Sequence, residues 1–166
     1  NTKTFGDVLR GLKKKKRKID KPVAGEDIDF DNTIEVKIFA PNSDKYDDTN
    51  NYSIVLKVSY GKTSFLLTGD AEDVSEEEML KKGYDLKADV LKVGHLASKS
   101  STTPEFLSAV SPKYAVISVG KGNKYGHPHK KTIKRFKDGN IEIYRTDKDG
   151  TVVFNSDGKT VQVSNE

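Results

Sequence analysis

The sequence predicts a layered α/β fold, and three observations carry that prediction. From residue 70 onward, strand-like and helix-like segments alternate, as in parallel strands joined by helical crossovers. Before residue 70 the pattern is mostly two-residue alternation of apolar and polar side chains, which suits antiparallel strands. Three apolar runs, "SFLLTGD", "VLKVGH" and "AVISVGKGNKYGHPH", pass from a strand into a glycine and then to acidic or histidine side chains.

The elements follow in order. Residues 3–14, "KTFGDVLRGLKK", place Phe5, Val8, Leu9 and Leu12 on one helical face. The basic run "KKKKRK" at residues 13–18 is either a phosphate-binding patch or a solvated helix end, the usual fate of a short charge run. "GEDIDFDNTIEVKIFAP" reads as two short strands around an Asp-Asn-Thr turn, and "NSDKYDDTNN" as a polar loop. "YSIVLKVSY" and "TSFLLTG" flank Gly61-Lys62 as a hairpin, and the second strand, apolar on both faces, is expected to be buried. "AEDVSEEEMLKKG" is a helix with acids at its start, lysines at its end and Gly83 beyond it. "ADVLKVG" is a strand. "TTPEFLSAVS" is a helix capped by Thr102 or Thr103, with Pro104 in its first turn. "KYAVISVG", the helix "HKKTIKRFKDG", the strand "IEIYRT", the turn "DKDG" and the strands "TVVFN" and "TVQVS" complete the chain.

Composition sets outer limits. The 166 residues suit one domain or most of one, long enough to bury roughly two-thirds of the unfolded surface. Hydrophobic residues are 34% and charged residues 33%, so the apolar side chains must be concentrated in patterned elements. The absence of cysteine excludes disulfides, thiolate nucleophiles and cysteine-ligated zinc. No run approaches ~20 apolar residues, and "NTKTFGDVLR" reads as the start of a domain piece instead of an export signal. The formal charge of +4 permits a polyanionic partner without requiring one.

The strand ends hold the candidate chemistry, because functional groups in α/β sheets gather past the carboxyl ends of strands. If those three strands are neighbours, Asp70, His95 and His127 converge on one rim. Two imidazoles and a carboxylate suit a zinc or manganese site, and a carboxylate can bridge two metals. The plainer readings are that Asp70 caps the following helix and that His95 is a hydrogen-bonded structural histidine. Ser98, Lys99 and Ser100 are either a phosphate site near the next helix or a capped, solvated loop. Tyr125 either stacks on a base or packs its own loop.

Taken together, "NNYSIVLKVSYGKTSFLLTGDAE", "LKADVLKVGH…SKSST", "PKYAVISVGKGNKYGHPH" and "YRTDKDGTVVFNSDG" resemble the C-terminal part of the metallo-β-lactamase-fold domain of ComEC-type competence proteins, and of stand-alone secreted hydrolases of the same branch. The resemblance covers about residues 25–163. It implies the C-terminal portion of an αββα sandwich with two divalent ions, Zn or Mn, at one edge. It also implies Asp70 as the metal-bridging carboxylate, a histidine ligand from the His95 segment, and His127 as a phosphate-binding or proton-donating residue. The implied reaction is metal-assisted phosphodiester hydrolysis, with DNA as substrate, at the extracellular face of a bacterial membrane or in secreted form, any membrane link passing through a parent protein.

Two departures qualify the resemblance. The family's His-x-His-x-Asp-His motif has no counterpart here, since the only histidines are His95, His127 and His129. The part that carries it is expected before Asn1, which makes residues 1–166 a single, partial domain. Where the family reads His-His-Gly, this chain reads His95-Leu96-Ala97. The chain is therefore read either as one share of a hydrolase site or as a degenerate, non-catalytic module that binds DNA or a partner. Half of a sandwich leaves an apolar sheet face, which is expected to pair with the missing half, to pair with a second copy, or to be covered by structure of its own.

Overall fold

The computed structural model describes residues 2–165. Helix α1 (Lys3–Lys14) is capped by the Thr2 hydroxyl. Strands β1 (Asp27–Asp31), β2 (Ile34–Ala40), β3 (Val55–Tyr60) and β4 (Thr63–Leu67) run antiparallel in sequence order. After helix α2 (Asp73–Lys81) the sheet continues with β5 (Val90–Lys92), helix α3 (Pro104–Val110), β6 (Tyr114–Ile117), helix α4 (Lys130–Asp138) and β7 (Glu142–Arg145). Strands β4 to β7 are parallel neighbours. The result is a seven-stranded mixed sheet, ordered as the chain runs, with helical crossovers in its second half. This is the α/β architecture that the sequence predicts. A helical turn α5 (Thr146–Asp149) leads to the separate hairpin of β8 (Val152–Ser156) and β9 (Val161–Asn165).

Cross-strand partners share a face of a sheet. The row Leu66, Leu91 and Ala115 faces the helices. There it joins Met79 of α2, Phe106 and Val110 of α3 and Phe136 of α4 in one buried cluster. The row Val58, Phe65, Val90 and Tyr114 faces the other way. Phe154 of β8 packs edge-on against Tyr114, ring centroids 5.6 Å apart, and Ser156 Oγ lies 2.6 Å from Thr63 Oγ1. The terminal hairpin therefore covers part of this second face.

Three local expectations need correction. Strand β4 is not buried along its whole length: Leu66 is fully enclosed and Thr63 is buried where the terminal hairpin meets it, while Leu67 is 39% exposed. Asp70 does not cap α2. That helix begins at Asp73, and the cap position falls to Glu72. The segment "NSDKYDDTNN" is not simply a solvated loop: it ends in a 3₁₀ turn, Thr49–Tyr52, whose Asn51 is buried.

Candidate functional site

Strands β4, β5 and β6 end side by side, with Leu67 opposite Lys92 and Lys92 opposite Val116. Their exits carry Asp70, His95 and the loop to His127. Two glycines let the first two exits cross closely. Gly69 takes φ +54, a left-handed conformation that a side chain would strain, and its carbonyl accepts from His95 N at 3.2 Å. A Cβ on Gly94 would lie 2.8 Å from the Ala71 carbonyl oxygen, so only glycine fits there.

His95, Leu96 and Ala97 have φ values of 42°, 54° and 60°. Left-handed backbone costs a non-glycine residue about 1–2 kcal/mol, so the surroundings must hold this turn in place. They do so from several sides. Glu72 Oε1 lies 2.7 Å from His95 Nδ1 and accepts the Ser100 hydroxyl at 2.6 Å. Ser101 Oγ donates to the Gly94 carbonyl at 2.9 Å. The His129 amide donates to the Ala97 carbonyl at 2.8 Å, and Thr132 Oγ1 to the Ser98 carbonyl at 2.8 Å. Just beyond, the Glu76 carboxylate accepts the amides of Thr102 and Thr103 at 2.5 and 2.7 Å.

His127 is placed by its own loop. Asn123 Oδ1 accepts from the amides of Tyr125 and His127, and its Nδ2 donates to the His127 carbonyl at 2.6 Å. The His127 ring lies 5.5 Å from the His95 ring, centroid to centroid, and Tyr125 stacks on it at 6.1 Å. The buried Nδ1 of His127 has no hydrogen-bond partner. Desolvation, with His95 and His129 nearby, holds the His127 pKa below its ordinary value. Burial likewise lowers Lys92, against the opposing pull of Asp70.

The predicted residues thus divide. His95 and His127 come together, and Asp70 stands exposed at the adjoining strand exit, its amide donating to Ser53 Oγ. Ser98 is buried, with its hydroxyl 2.9 Å from that of Ser100, while Ser100 turns to Glu72. Lys99 is exposed, and Tyr125 is 78% exposed. His129 is taken up in capping α4. A hollow of about 570 Å³ is lined by Glu72 beside Tyr46, Asp48 and Asn51, and not by His95 or His127.

Sequence reasoning missed Glu72, Glu76 and Asn51. The two glutamates stand four apart in "EDVSE", the spacing of one helix face. That spacing was the available signal, hidden among acids that also suit a helix start.

No family model matches the chain. It is 39% identical over 137 residues to ComE operon protein 3 of Bacillus subtilis, covering 80% of this chain and 18% of that protein. It is 38% identical over 122 residues to Competence protein ComA of Neisseria gonorrhoeae, covering 73% and 18%. With Recombination protein 2 of Haemophilus influenzae the figures are 39% over 102 residues, 61% and 13%. These identities mark common descent with one segment of competence proteins. The chain spans less than a fifth of the length of these curated relatives, 18% at most.

Proposed function

We propose that this chain is part of a metal-dependent hydrolase domain acting on phosphodiesters, with DNA as substrate, in competence at the outer face of a bacterial membrane. The observation that carries the reading is the gathering of His95 and His127 at the ends of adjacent parallel strands, beside the exit that bears Asp70. The descent shared with competence proteins supports the biological setting. Among the described residues no helix is long and apolar enough to cross a membrane, so attachment would come through a parent protein.

The donor chemistry suits Zn²⁺ or Mn²⁺: an exposed carboxylate, and an imidazole whose second nitrogen meets a carboxylate. The number of donors does not suffice. Among the described residues, no three His, Cys, Asp or Glu side chains are grouped to hold a metal ion. The chain therefore contributes Asp70 and His95 to a site whose remaining ligands come from another segment, and no reaction step is assigned through a metal. A bound metal would supply Lewis acidity and an activated water. In the same reading His127 contacts a phosphate oxygen, Tyr125 offers a ring to a base, and Ser98, Lys99 and Ser100 form the loop along which the backbone of the substrate passes.

One observation favours a second reading, a non-catalytic module that binds DNA or a partner. Leu96 packs against the core cluster where a second imidazole would offer a donor. Calorimetric titration of Zn²⁺ and Mn²⁺ into the chain and into Leu96→His, followed by assays on single- and double-stranded DNA, separates the two. Tight binding to the unaltered chain with DNA cleavage supports the hydrolase. Binding only after Leu96→His points to loss of a ligand. Absence of binding in both, with DNA still retained, favours the module.

The second sheet face bears on partners. Ile28, Tyr60 and Leu67 leave apolar surface open there, which a complementary half-domain or a second copy would cover. Sedimentation velocity across a concentration series tests this, with association expected and reduced in Leu67→Lys.

A further inference from the structure

We propose that Glu72 is a positioning residue for His95: it holds the imidazole proton on Nδ1 and so leaves Nε2 as the free nitrogen. Glu72 occupies the cap position of α2, yet its side chain makes no capping bond. The capping work is done from elsewhere, by Asn51 Oδ1, which accepts the amides of Glu72 and Ser75 at 3.2 Å each. The Glu72 carboxylate is thereby released from its own helix. It is also only 8% exposed, and a buried carboxylate is costly unless partnered. Both of its side-chain partners, His95 Nδ1 and the Ser100 hydroxyl, meet the same oxygen, Oε1.

The proton's place follows from the contacts. A carboxylate oxygen only accepts, so at 2.7 Å the Nδ1 must donate; without its proton, two lone pairs would face each other. Among the described residues the one competing neighbour, Asn50 Nδ2, is farther from the same nitrogen, at 3.4 Å. The two bonds also tie position 95 to position 100 across the left-handed turn, which fixes the ring as well as its tautomer. A carboxylate on one imidazole nitrogen orients the other, the arrangement found behind metal-bound histidines. Use of Nε2 as a ligand rests on the hydrolase reading; the placement of the proton does not.

The test is long-range ¹⁵N–¹H correlation of His95 in the full 166-residue chain, at a pH where the imidazole is neutral. The expected result is the Nδ1–H tautomer, retained in Glu72→Gln, whose amide oxygen still accepts, and in Asn50→Ala. In Glu72→Leu the proton moves predominantly to Nε2. An Nε2–H tautomer in the unaltered chain overturns the proposal, and this holds even if the leucine variant does not fold. So does a switch to Nε2–H in Asn50→Ala, or an unchanged tautomer in a folded Glu72→Leu. Zn²⁺ alone is then added. A shift at Nε2, with affinity lowered about 10–100-fold in Glu72→Leu, supports both the positioning and the ligand role. The Nδ1–H tautomer with no response to Zn²⁺ upholds Glu72 and sinks the ligand role of His95.

Discussion

The two faces of the seven-stranded sheet have met different fates. On the helix side, Met79, Phe106, Val110 and Phe136 close over Leu66, Leu91 and Ala115, and the polar groups of the rim are matched to carboxylates from the cap and first turn of α2. On the other side the terminal hairpin reaches Tyr114 and Thr63, while Leu67 and Ile28 stay part-exposed. The candidate site sits where these surroundings meet. His95 is held from the helix side, whereas Lys92, one turn of chain earlier on the second face, is not matched to a hydrogen-bonded acid among the described residues. The difference teaches that the left-handed turn at His95 is ordered chiefly from the helix side. Perturbing that side should cost far more than perturbing the other.

The largest expected effect is on the core itself. Phe136 is fully buried, so Phe136→Ala should lower stability by about 3–5 kcal/mol, through lost burial and the cavity left behind. Phe30→Ala, at an open position of the same sheet, should change it by less than about 0.5 kcal/mol. Chemical denaturation of both variants checks the contrast, and equal losses would mean that the edge strand β1 is as well packed as the core beneath the helices.

Next in size is the carboxylate staple. Glu76 is 2% exposed and receives two amides of the loop that follows His95. Glu76→Leu keeps the volume and leaves Thr102 N and Thr103 N without their acceptor. The cost should be about 2–4 kcal/mol, since each orphaned buried amide costs roughly 1–3. Faster amide exchange across residues 94–103, ahead of the rest of the chain, is the local signature to look for.

How far these features were legible varies with how local their causes are. The alternation of Ile34, Val36 and Ile38 and the glycines at positions 69 and 94 mark strands and strand exits from neighbouring residues alone. The convergence of His95 and His127 followed once the strands were taken as neighbours. The exposure of Leu67 was not legible, because it depends on what lies across the sheet and not on "SFLLT". Nor was the role of Glu72. Among Glu72, Asp73, Glu76, Glu77 and Glu78, only the path of residues 94–103 selects the two that matter. Asn51 is the same case, one amide in a polar run, chosen by the start of a helix twenty residues later.

A smaller effect should come from Lys92. Its ammonium donates to the Val93 carbonyl at 3.2 Å, and burial lowers its pKa from 10.5. The folded state therefore releases this proton at a lower pH than the unfolded state does. Below the folded value the buried charge lowers stability, and the deficit is relieved as pH rises from the folded value to 10.5. Lys92→Met should raise stability at neutral pH by up to about 1 kcal/mol, and the gain should vanish above that window. A gain that does not change with pH would show that packing, and not charge, is responsible.

The smallest effect is expected at α1, and it sharpens the comparison most. None of the residues of this helix is buried, and Phe5, Val8 and Leu9 lie open along its apolar face. A helix of twelve residues is marginal on its own, since most helical stability in proteins comes from packing. Phe5→Ala should therefore change the unfolding free energy by less than about 0.5 kcal/mol. The amides of residues 6–14 should exchange orders of magnitude faster than those of α3, whose Phe106 and Val110 are enclosed. Slow exchange in α1 at high protein concentration, lost on dilution, would show its apolar face engaged by another copy of the chain. Slow exchange that persists on dilution would mean that α1 folds back on its own sheet, and that the second face is better covered than its side chains indicate.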